Sequence, residues 1–238
     1  MDRSAHAWCA AFVNDNWFLY DPTWDAGFVR NGSFQSFIQT NYFQISPKEF
    51  IRTHIPFDPM FQFLDPVVSY ASFSKNRVEN APAVFNFKDS ISNYIKSDSL
   101  SRYLGSFSRI KNFDWPQSMI DIRLKQLKLE IELIYQDRDM AFYNSAVQNY
   151  NDAITIYNVF VNYKNNQFQP AKNDQEVKNL FTQITNKITT AQQKLKELSQ
   201  SSATLVLDAG DIAYQLKQLA ASVSEQESFF KNYLAGNK

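Results

Sequence analysis

The distribution of glycine and proline constrains the fold of this 238-residue chain more than any other feature of its sequence. Seven of the eight prolines lie at or before Pro116, and no glycine occurs between that residue and Gly210. These two residue types interrupt helices. The second half can therefore form long, unbroken helices, whereas the first half must contain many turns and loops.

Apolar residues recur at steps of three and four along the second half, which is typical of helices that pack through one face. We predict one long helix with a phase slip near residues 137–139, or two helices in tandem. Two further helices follow, after breaks near 165–170 and 199–202, and Asp174 is the expected N-cap of the first of them. Short connections place neighbouring helices antiparallel, so region 116–238 is predicted to be a helical bundle or a coiled-coil hairpin. The predicted stripes are Ile120, Leu124, Leu127, Ile131 and Ile134; Tyr143, Val147, Tyr150, Ile154, Tyr157 and Val161; Val177, Phe181, Ile184, Ile188, Ala191, Leu195 and Leu198; and Leu205, Ala209, Ile212, Leu216, Leu219 and Val223.

The first half combines short strand-like runs with X-Pro dipeptides, and a residue before proline is biased away from the helix. We assign a small antiparallel β-sheet to region 1–84. Region 85–115 is predicted to hold two short amphipathic helices, at 90–94 and 100–110, that bridge the halves. The predicted fold class is therefore α+β, with a small sheet followed by long helices.

Composition excludes several classes of protein. Lys and Arg together number 24, as do Asp and Glu, so the net charge is zero and no basic field recruits nucleic acid or anionic lipid. A single cysteine forbids an internal disulfide framework and a cysteine-rich zinc site. No apolar run reaches the length of a membrane span, and the first residues lack the apolar stretch of a signal peptide. We expect a soluble chain, and its compartment stays open.

The most informative segment is 6–27, in which two β-prone runs flank Asn14 and Asp15. This dipeptide tolerates the positive φ of a tight turn, so the segment is predicted to form a hairpin. A two-residue loop places Asp21 opposite Trp8 and diagonal to His6, on the same face of the sheet. We therefore expect a hydrogen bond between the His6 imidazole and the Asp21 carboxylate. Such a carboxylate orients the imidazole, which can then accept a proton from a thiol.

His6-Ala7-Trp8, the hairpin and Asp21-Pro22-Thr23-Trp24 together resemble the signature of the transglutaminase-like superfamily, which shares its catalytic arrangement with papain-type cysteine peptidases. Segment 34–59 is similar to the continuation in bacterial members that carry a helical C-terminal extension. The resemblance implies that His6 and Asp21 are catalytic residues of amide hydrolysis or acyl transfer. It implies that the sheet is part of a transglutaminase-like domain.

The superfamily's nucleophilic cysteine lies upstream of its histidine, and only five residues precede His6. Cys9 is three residues beyond His6 on the same strand, and odd offsets point to opposite faces. We therefore interpret Cys9 as a small, half-buried strand residue, and we expect the nucleophile to lie on a segment outside this chain.

His54 and Asp58 are the one pair that the sequence offers as candidate metal ligands. A catalytic zinc site generally has three protein ligands, and this loop offers two. The flanking prolines favour a rigid turn packed on Phe57 and Phe61. We therefore expect no metal site and no cofactor.

Two functions stay open at this point. The first is a transglutaminase-like thiol enzyme that acts on a protein or peptide and is inactive in this chain alone, because the nucleophile is missing. The second is a non-catalytic interaction module whose helical bundle binds a partner. The stripes themselves favour an intramolecular bundle, with homo-oligomerisation through the helices as the alternative. The resemblance is compatible with an exported parent protein.

Overall fold

The α+β prediction is confirmed by the computed structural model, which describes residues 6–77, 86–198 and 203–236. Two small antiparallel sheets precede long packed helices, and a 3₁₀ turn spans Pro59–Gln62. The strands are β1 (Cys9–Val13), β2 (Asn16–Tyr20), β3 (Gly27–Arg30) and β4 (Ser33–Ser36), and the helices are α1 (Pro22–Ala26), α2 (Pro47–Phe50), α3 (Tyr70–Phe73), α4 (Phe87–Lys96), α5 (Ser99–Asn112), α6 (Gln117–Asn165), α7 (Asp174–Lys196) and α8 (Ala203–Gly236).

Strands β1 and β2 form the predicted hairpin in the predicted register. Val13 pairs with Asn16, and the ladder continues to Cys9 opposite Tyr20. The two turn residues, Asn14 and Asp15, have φ values of 48° and 61°, as a tight primed turn requires. The local turn chemistry was therefore sufficient to set the register of this hairpin.

A second hairpin, β3–β4, follows directly after the short helix α1. Gly27 begins β3 with φ 153°, and a Cβ built there would lie 2.1 Å from the Gln35 carbonyl oxygen on β4. Only glycine allows so close an approach of the two strands. The chain then returns to the first hairpin, because Leu19 of β2 and Ile45 exchange both of their backbone hydrogen bonds.

The chain divides into two compact units, residues 1–131 and 132–238, and the boundary falls within α6. The first unit has two apolar clusters. One joins β2 to α2, the 3₁₀ turn and α4 through Leu19, Phe50, Met60, Phe63 and Ile91, and the other joins α5 to the start of α6 through Ile110, Trp115, Ile120, Leu124 and Leu127. The domain boundaries predicted at 84 and 115 stay predictions.

The second unit consists of packed helices, as the stripes predicted. Phe160 of α6 contacts Phe181 of α7, and further along the pair Asp152 accepts a hydrogen bond from Lys187. Residue numbers fall along one helix as they rise along the other, so α6 and α7 are antiparallel. Helix α8 completes the apolar cluster through Leu216, Leu219, Val223 and Phe230.

Helix α6 is a single helix of 49 residues, so the tandem alternative is wrong. Its most buried apolar side chains in the second unit are Ala146, Ala153 and Phe160, each 0% exposed. The predicted stripe instead placed Tyr150 and Tyr157 at its centre, whereas they pack beside this cluster and are only partly buried. The predicted stripe followed the large aromatic rings, whereas two of the three most buried apolar positions are alanines.

The predicted N-cap of α7 is wrong by one residue. Asn173, not Asp174, caps the helix: its side chain accepts a hydrogen bond from the Glu176 amide at 2.8 Å, and the Glu176 carboxylate accepts one from the Asn173 amide at 2.9 Å. This reciprocal capping box satisfies two amides that the helix itself leaves without partners. Asp174 lies within the first turn.

The two short helices predicted at 90–94 and 100–110 are present as α4 and α5, each a few residues longer than predicted, and their bridging role stays a prediction. The predicted break at 199–202 lies outside the described residues. In the described ranges, no helix combines the length and the hydropathy that crossing a membrane requires.

Candidate active site

Asp21 lies where β2 ends and α1 begins, and its buried carboxylate is 0% exposed. As the N-cap of α1, its Oδ1 atom accepts hydrogen bonds from the Thr23 and Trp24 amides at 3.0 and 3.1 Å. Its backbone amide donates to the Tyr42 carbonyl oxygen. The helix start therefore holds one oxygen of the carboxylate in place and leaves Oδ2 to other partners.

His6 is the first partner of Oδ2, with Nε2 at 2.7 Å, so the predicted contact is confirmed. The His6 ring stacks against Trp24 at a centroid distance of 5.5 Å and meets the edge of Trp8 at 5.6 Å. Its side chain is 21% exposed. The two indoles therefore fix the plane of the ring while one edge stays accessible to solvent.

His54 is the second partner of Oδ2, and this contact was not predicted from the sequence. It follows α2, and its Nε2 atom lies 2.9 Å from the same oxygen of Asp21. Its ring stacks on Phe50 at 4.1 Å and lies 4.4 Å from Trp24. Thirty-three residues separate His54 from Asp21. No local sequence pattern predicts that His54 contacts Asp21, since the contact depends on how the segment after β4 packs back onto the first hairpin.

The hydrogen-bond partners assign the ring nitrogens. A carboxylate only accepts hydrogen bonds, so both histidines donate through Nε2–H. A neutral His54 then accepts at Nδ1 from the Thr53 hydroxyl, 2.8 Å away. A neutral His6 has its lone pair on Nδ1. This is the nitrogen that a thiol proton would reach.

The surroundings move the pKa of two groups. Burial raises the pKa of Asp21, but the hydrogen bonds from His6, the Trp24 amide and His54 outweigh it, so the pKa lies below its ordinary value of 3.8. Burial lowers the pKa of His54 below 6.5, against the opposing effect of Asp21. At neutral pH the cluster therefore contains an ionised Asp21 and an uncharged His54.

A cleft of about 830 Å³ opens beside His6. Its walls are mainly aromatic and aliphatic, including Trp8, Trp17, Phe61 and Ile91. Ligand and substrate sites are commonly concave and largely apolar, with a few polar groups that orient the ligand. His6 is such a polar group at the border of this cleft.

The single cysteine, Cys9, does not lie at the cleft beside His6. Cys9 is exposed, which corrects the half-buried state expected for it, and it is not among the residues that line the cleft. These observations support the interpretation that Cys9 is not the nucleophile.

Asp58 has different partners from His54. Its carboxylate accepts two hydrogen bonds from the Arg109 guanidinium, at 2.8 and 2.9 Å, and one from the Ser106 hydroxyl at 2.7 Å. This partly buried ion pair connects the loop before the 3₁₀ turn to α5. The His54 and Asp58 pair considered from the sequence is thus divided between two separate networks.

No protein-family model matches the chain, and no solved structure matches it with significance. The chain is similar to a peptidase over part of its length. It is 34% identical over 73 residues to kyphoscoliosis peptidase of Homo sapiens, and 33% identical over 73 residues to that of Mus musculus. Each match covers 30% of this chain and 11% of the peptidase.

Kyphoscoliosis peptidase is a transglutaminase-like protein. The similarity therefore supports a distant, partial relation of this chain to a transglutaminase-like peptidase, consistent with the resemblance noted in the His6–Trp24 segment. The catalytic roles of His6 and Asp21 stay predictions.

Proposed function

We propose that this chain carries the histidine and the aspartate of a transglutaminase-like thiol enzyme and acts on amide bonds together with a thiol from outside the chain. The observation that carries this proposal is the 2.7 Å contact between His6 Nε2 and Asp21 Oδ2. It leaves the Nδ1 lone pair of His6 as the base, beside a cleft that can hold an acyl group. Asp21 orients the ring and stabilises the imidazolium that forms.

In this reaction His6 Nδ1 takes the thiol proton and the thiolate attacks the amide carbonyl carbon. His6 then returns the proton to the leaving amine, and a thioester remains. Water completes a hydrolysis, whereas a second amine completes an acyl transfer. Because Cys9 does not line the cleft, we expect the purified chain to catalyse neither reaction by itself.

Chemical rescue with a small thiol tests this proposal on the chain as it exists. We would measure acyl transfer from an activated peptide ester to added 2-mercaptoethanol at pH 7. A general base contributes about 10²–10⁴ in rate, and an untethered thiol forfeits part of that, so we expect about tenfold acceleration over buffer. The acceleration should require the added thiol and disappear in His6→Ala.

The matched control is Cys9→Ser, which should leave the rescued rate unchanged. Equal rates for wild type and His6→Ala would contradict the role of His6. Turnover without added thiol that Cys9→Ser abolishes would instead make Cys9 the nucleophile.

A further inference from the structure

We propose that His6, Asp21 and His54 form a binding site for one divalent transition-metal ion of the zinc class, and that the bound ion switches off the base. The metal site depends only on the geometry of the three side chains. The effect of the ion on the base rests on the function proposed above for His6.

The three ligand atoms already converge. One atom from each side chain lies within 4.8 Å of the others, and both Nε2 atoms point at Asp21 Oδ2, at 2.7 and 2.9 Å. Zinc binds imidazole nitrogen and carboxylate oxygen at about 2.0–2.2 Å, which in a tetrahedral site separates neighbouring ligand atoms by roughly 3.4 Å. Each nitrogen–oxygen contact must therefore widen by about 0.5–0.7 Å, and the two imidazole nitrogens, which lie within 4.8 Å of each other, must settle near the same separation of roughly 3.4 Å.

Two histidines and one carboxylate are a recognised ligand set. Catalytic zinc sites use three protein ligands and keep a fourth position for water, and imidazole with carboxylate also suits other first-row metals. His6 is 21% exposed, whereas Asp21 and His54 are buried. The exposed side gives the ion a path of entry and leaves the fourth position to solvent.

The groups around the ligands support the same conclusion. Metal-bound histidines usually donate their second ring N–H to an oxygen, and ligating carboxylates are hydrogen-bonded in turn. Asp21 Oδ1 is held by two amides of α1, so it keeps its orientation whichever partner Oδ2 has. For His54 the second ring nitrogen lies 2.8 Å from Thr53 Oγ1.

Thr53 can serve His54 in both states. Its hydroxyl lies within reach of His54 Nδ1, at 2.8 Å, and of the Phe50 carbonyl oxygen, at 3.3 Å. Without metal, the hydroxyl donates to Nδ1 while Nε2–H donates to Asp21. With metal on Nε2, Nδ1–H donates to Thr53 and the hydroxyl rotates to donate to Phe50. No buried group loses its partner in either state, as burial demands.

The same change of tautomer at His6 accounts for the effect on catalysis. The ring stays neutral: its proton leaves Nε2, where the ion binds, and a proton occupies Nδ1. The lone pair that would accept the thiol proton is then gone. Metal binding and action as a general base therefore exclude each other at this ring.

The test is a calorimetric titration of the metal-stripped full chain with Zn²⁺ alone at pH 7. We expect one ion per chain. His54→Gln, which removes a ligand, should weaken binding at least about 100-fold, and Thr53→Val, which keeps all three ligands, about 10–100-fold. Cys9→Ser is the matched control and should bind as wild type does. Co²⁺ in place of Zn²⁺ should give visible bands without a thiolate charge-transfer band.

A measurement on the wild-type chain guards against variants that fail to fold. In ¹⁵N-resolved NMR of the imidazoles, saturation with Zn²⁺ should move the protons of His6 and His54 from Nε2 to Nδ1. Retention of Nε2–H on both rings at saturation would overturn the site. So would the absence of binding at 100-fold molar excess, or equal affinity in wild type and a folded His54→Gln variant.

The two proposals fail separately. Zinc binding without His6-dependent rescue by thiol would leave the metal site and remove the proposed function. Rescue that depends on His6 but is insensitive to Zn²⁺, with no ion bound, would do the reverse. If the ion binds and rescue persists at saturation, the claim that metal and base exclude each other is wrong.

Discussion

Replacement of Asp21 by asparagine tests the central interaction of the site. The amide oxygen can still cap α1, so the NH₂ group must face the two imidazoles. Each ring can accept from it only after its proton moves from Nε2 to Nδ1. Asp21→Asn therefore exchanges two charge-assisted hydrogen bonds for two neutral ones and forces the tautomer that lacks a base at His6.

The hydrogen bonds of Asp21 set the expected loss in the free energy of unfolding. Hydrogen bonds to charged groups contribute about 1.5–3 kcal/mol each and neutral ones about 1 kcal/mol. Each exchange therefore costs about 0.5–2 kcal/mol, and with two bonds weakened in a side chain that is 0% exposed, we expect the free energy of unfolding to fall by about 1–4 kcal/mol at pH 7. The rescued acyl transfer should fall to the level of His6→Ala, because Nδ1 then carries the proton.

Urea unfolding followed by tryptophan fluorescence measures this change in the relevant unit. All four tryptophans lie within residues 1–131, so the second unit does not contribute to the signal. Asp15→Asn is the matched control, since Asp15 is exposed in the hairpin turn and should change stability by less than about 0.5 kcal/mol. A loss below about 0.5 kcal/mol in Asp21→Asn would refute the reasoning.

The stability that Asp21 contributes should depend on pH in a defined direction. The pKa of Asp21 lies below 3.8, so its contribution to stability is complete above that pH and is lost as the pH falls through the pKa of the folded state. The difference between wild type and Asp21→Asn should therefore shrink at the acidic end. A difference that grows on acidification below pH 3.8 would contradict the assignment of an ionised, hydrogen-bonded Asp21.

Two further predictions concern His54 and the second hairpin. Since burial holds the pKa of His54 below 6.5, the unfolded chain binds its proton first, and stability should fall below that pH with a slope of up to about 1.4 kcal/mol per pH unit; His54→Gln should flatten this slope in the urea assay, and an unchanged slope would contradict it. Gly27→Ala should destabilise the first unit by about 1–3 kcal/mol, because its Cβ would lie 2.1 Å from a carbonyl oxygen of β4. Gly32→Ala is the control, since no atom of the described residues beyond Gly32 and its two chain neighbours lies within 4 Å of its Cβ. This change should cost about 1 kcal/mol for its positive φ alone, and equal losses at both glycines would exclude the steric reason.

Local interactions explain what could be predicted from the sequence. The turn at Asn14 and Asp15 depends on positive φ, and the hairpin that it closes brings His6, which precedes β1, next to Asp21, which follows β2. The helical stripes depend on a period of 3.6 residues. Each of these signals lies within a window of about twenty residues, so the hairpin, the helices and the contact between His6 and Asp21 could be predicted from local sequence alone.

The position of His54, the depth of burial along the helices and the cleft could be established only from the tertiary structure. His54 reaches Asp21 only because the segment after β4 returns to pair Ile45 with Leu19 and packs α2 beside the hairpin. Alanines share the fully buried positions of the helical core with larger side chains such as Phe160, because the burial of a position is set by the partner helix and not by the hydropathy of one helix alone. The sequence by itself determined the hairpin, the helices and the first contact of the site. The third member of the cluster and the cleft beside it were decided by packing between segments far apart along the chain, for which no local periodicity exists.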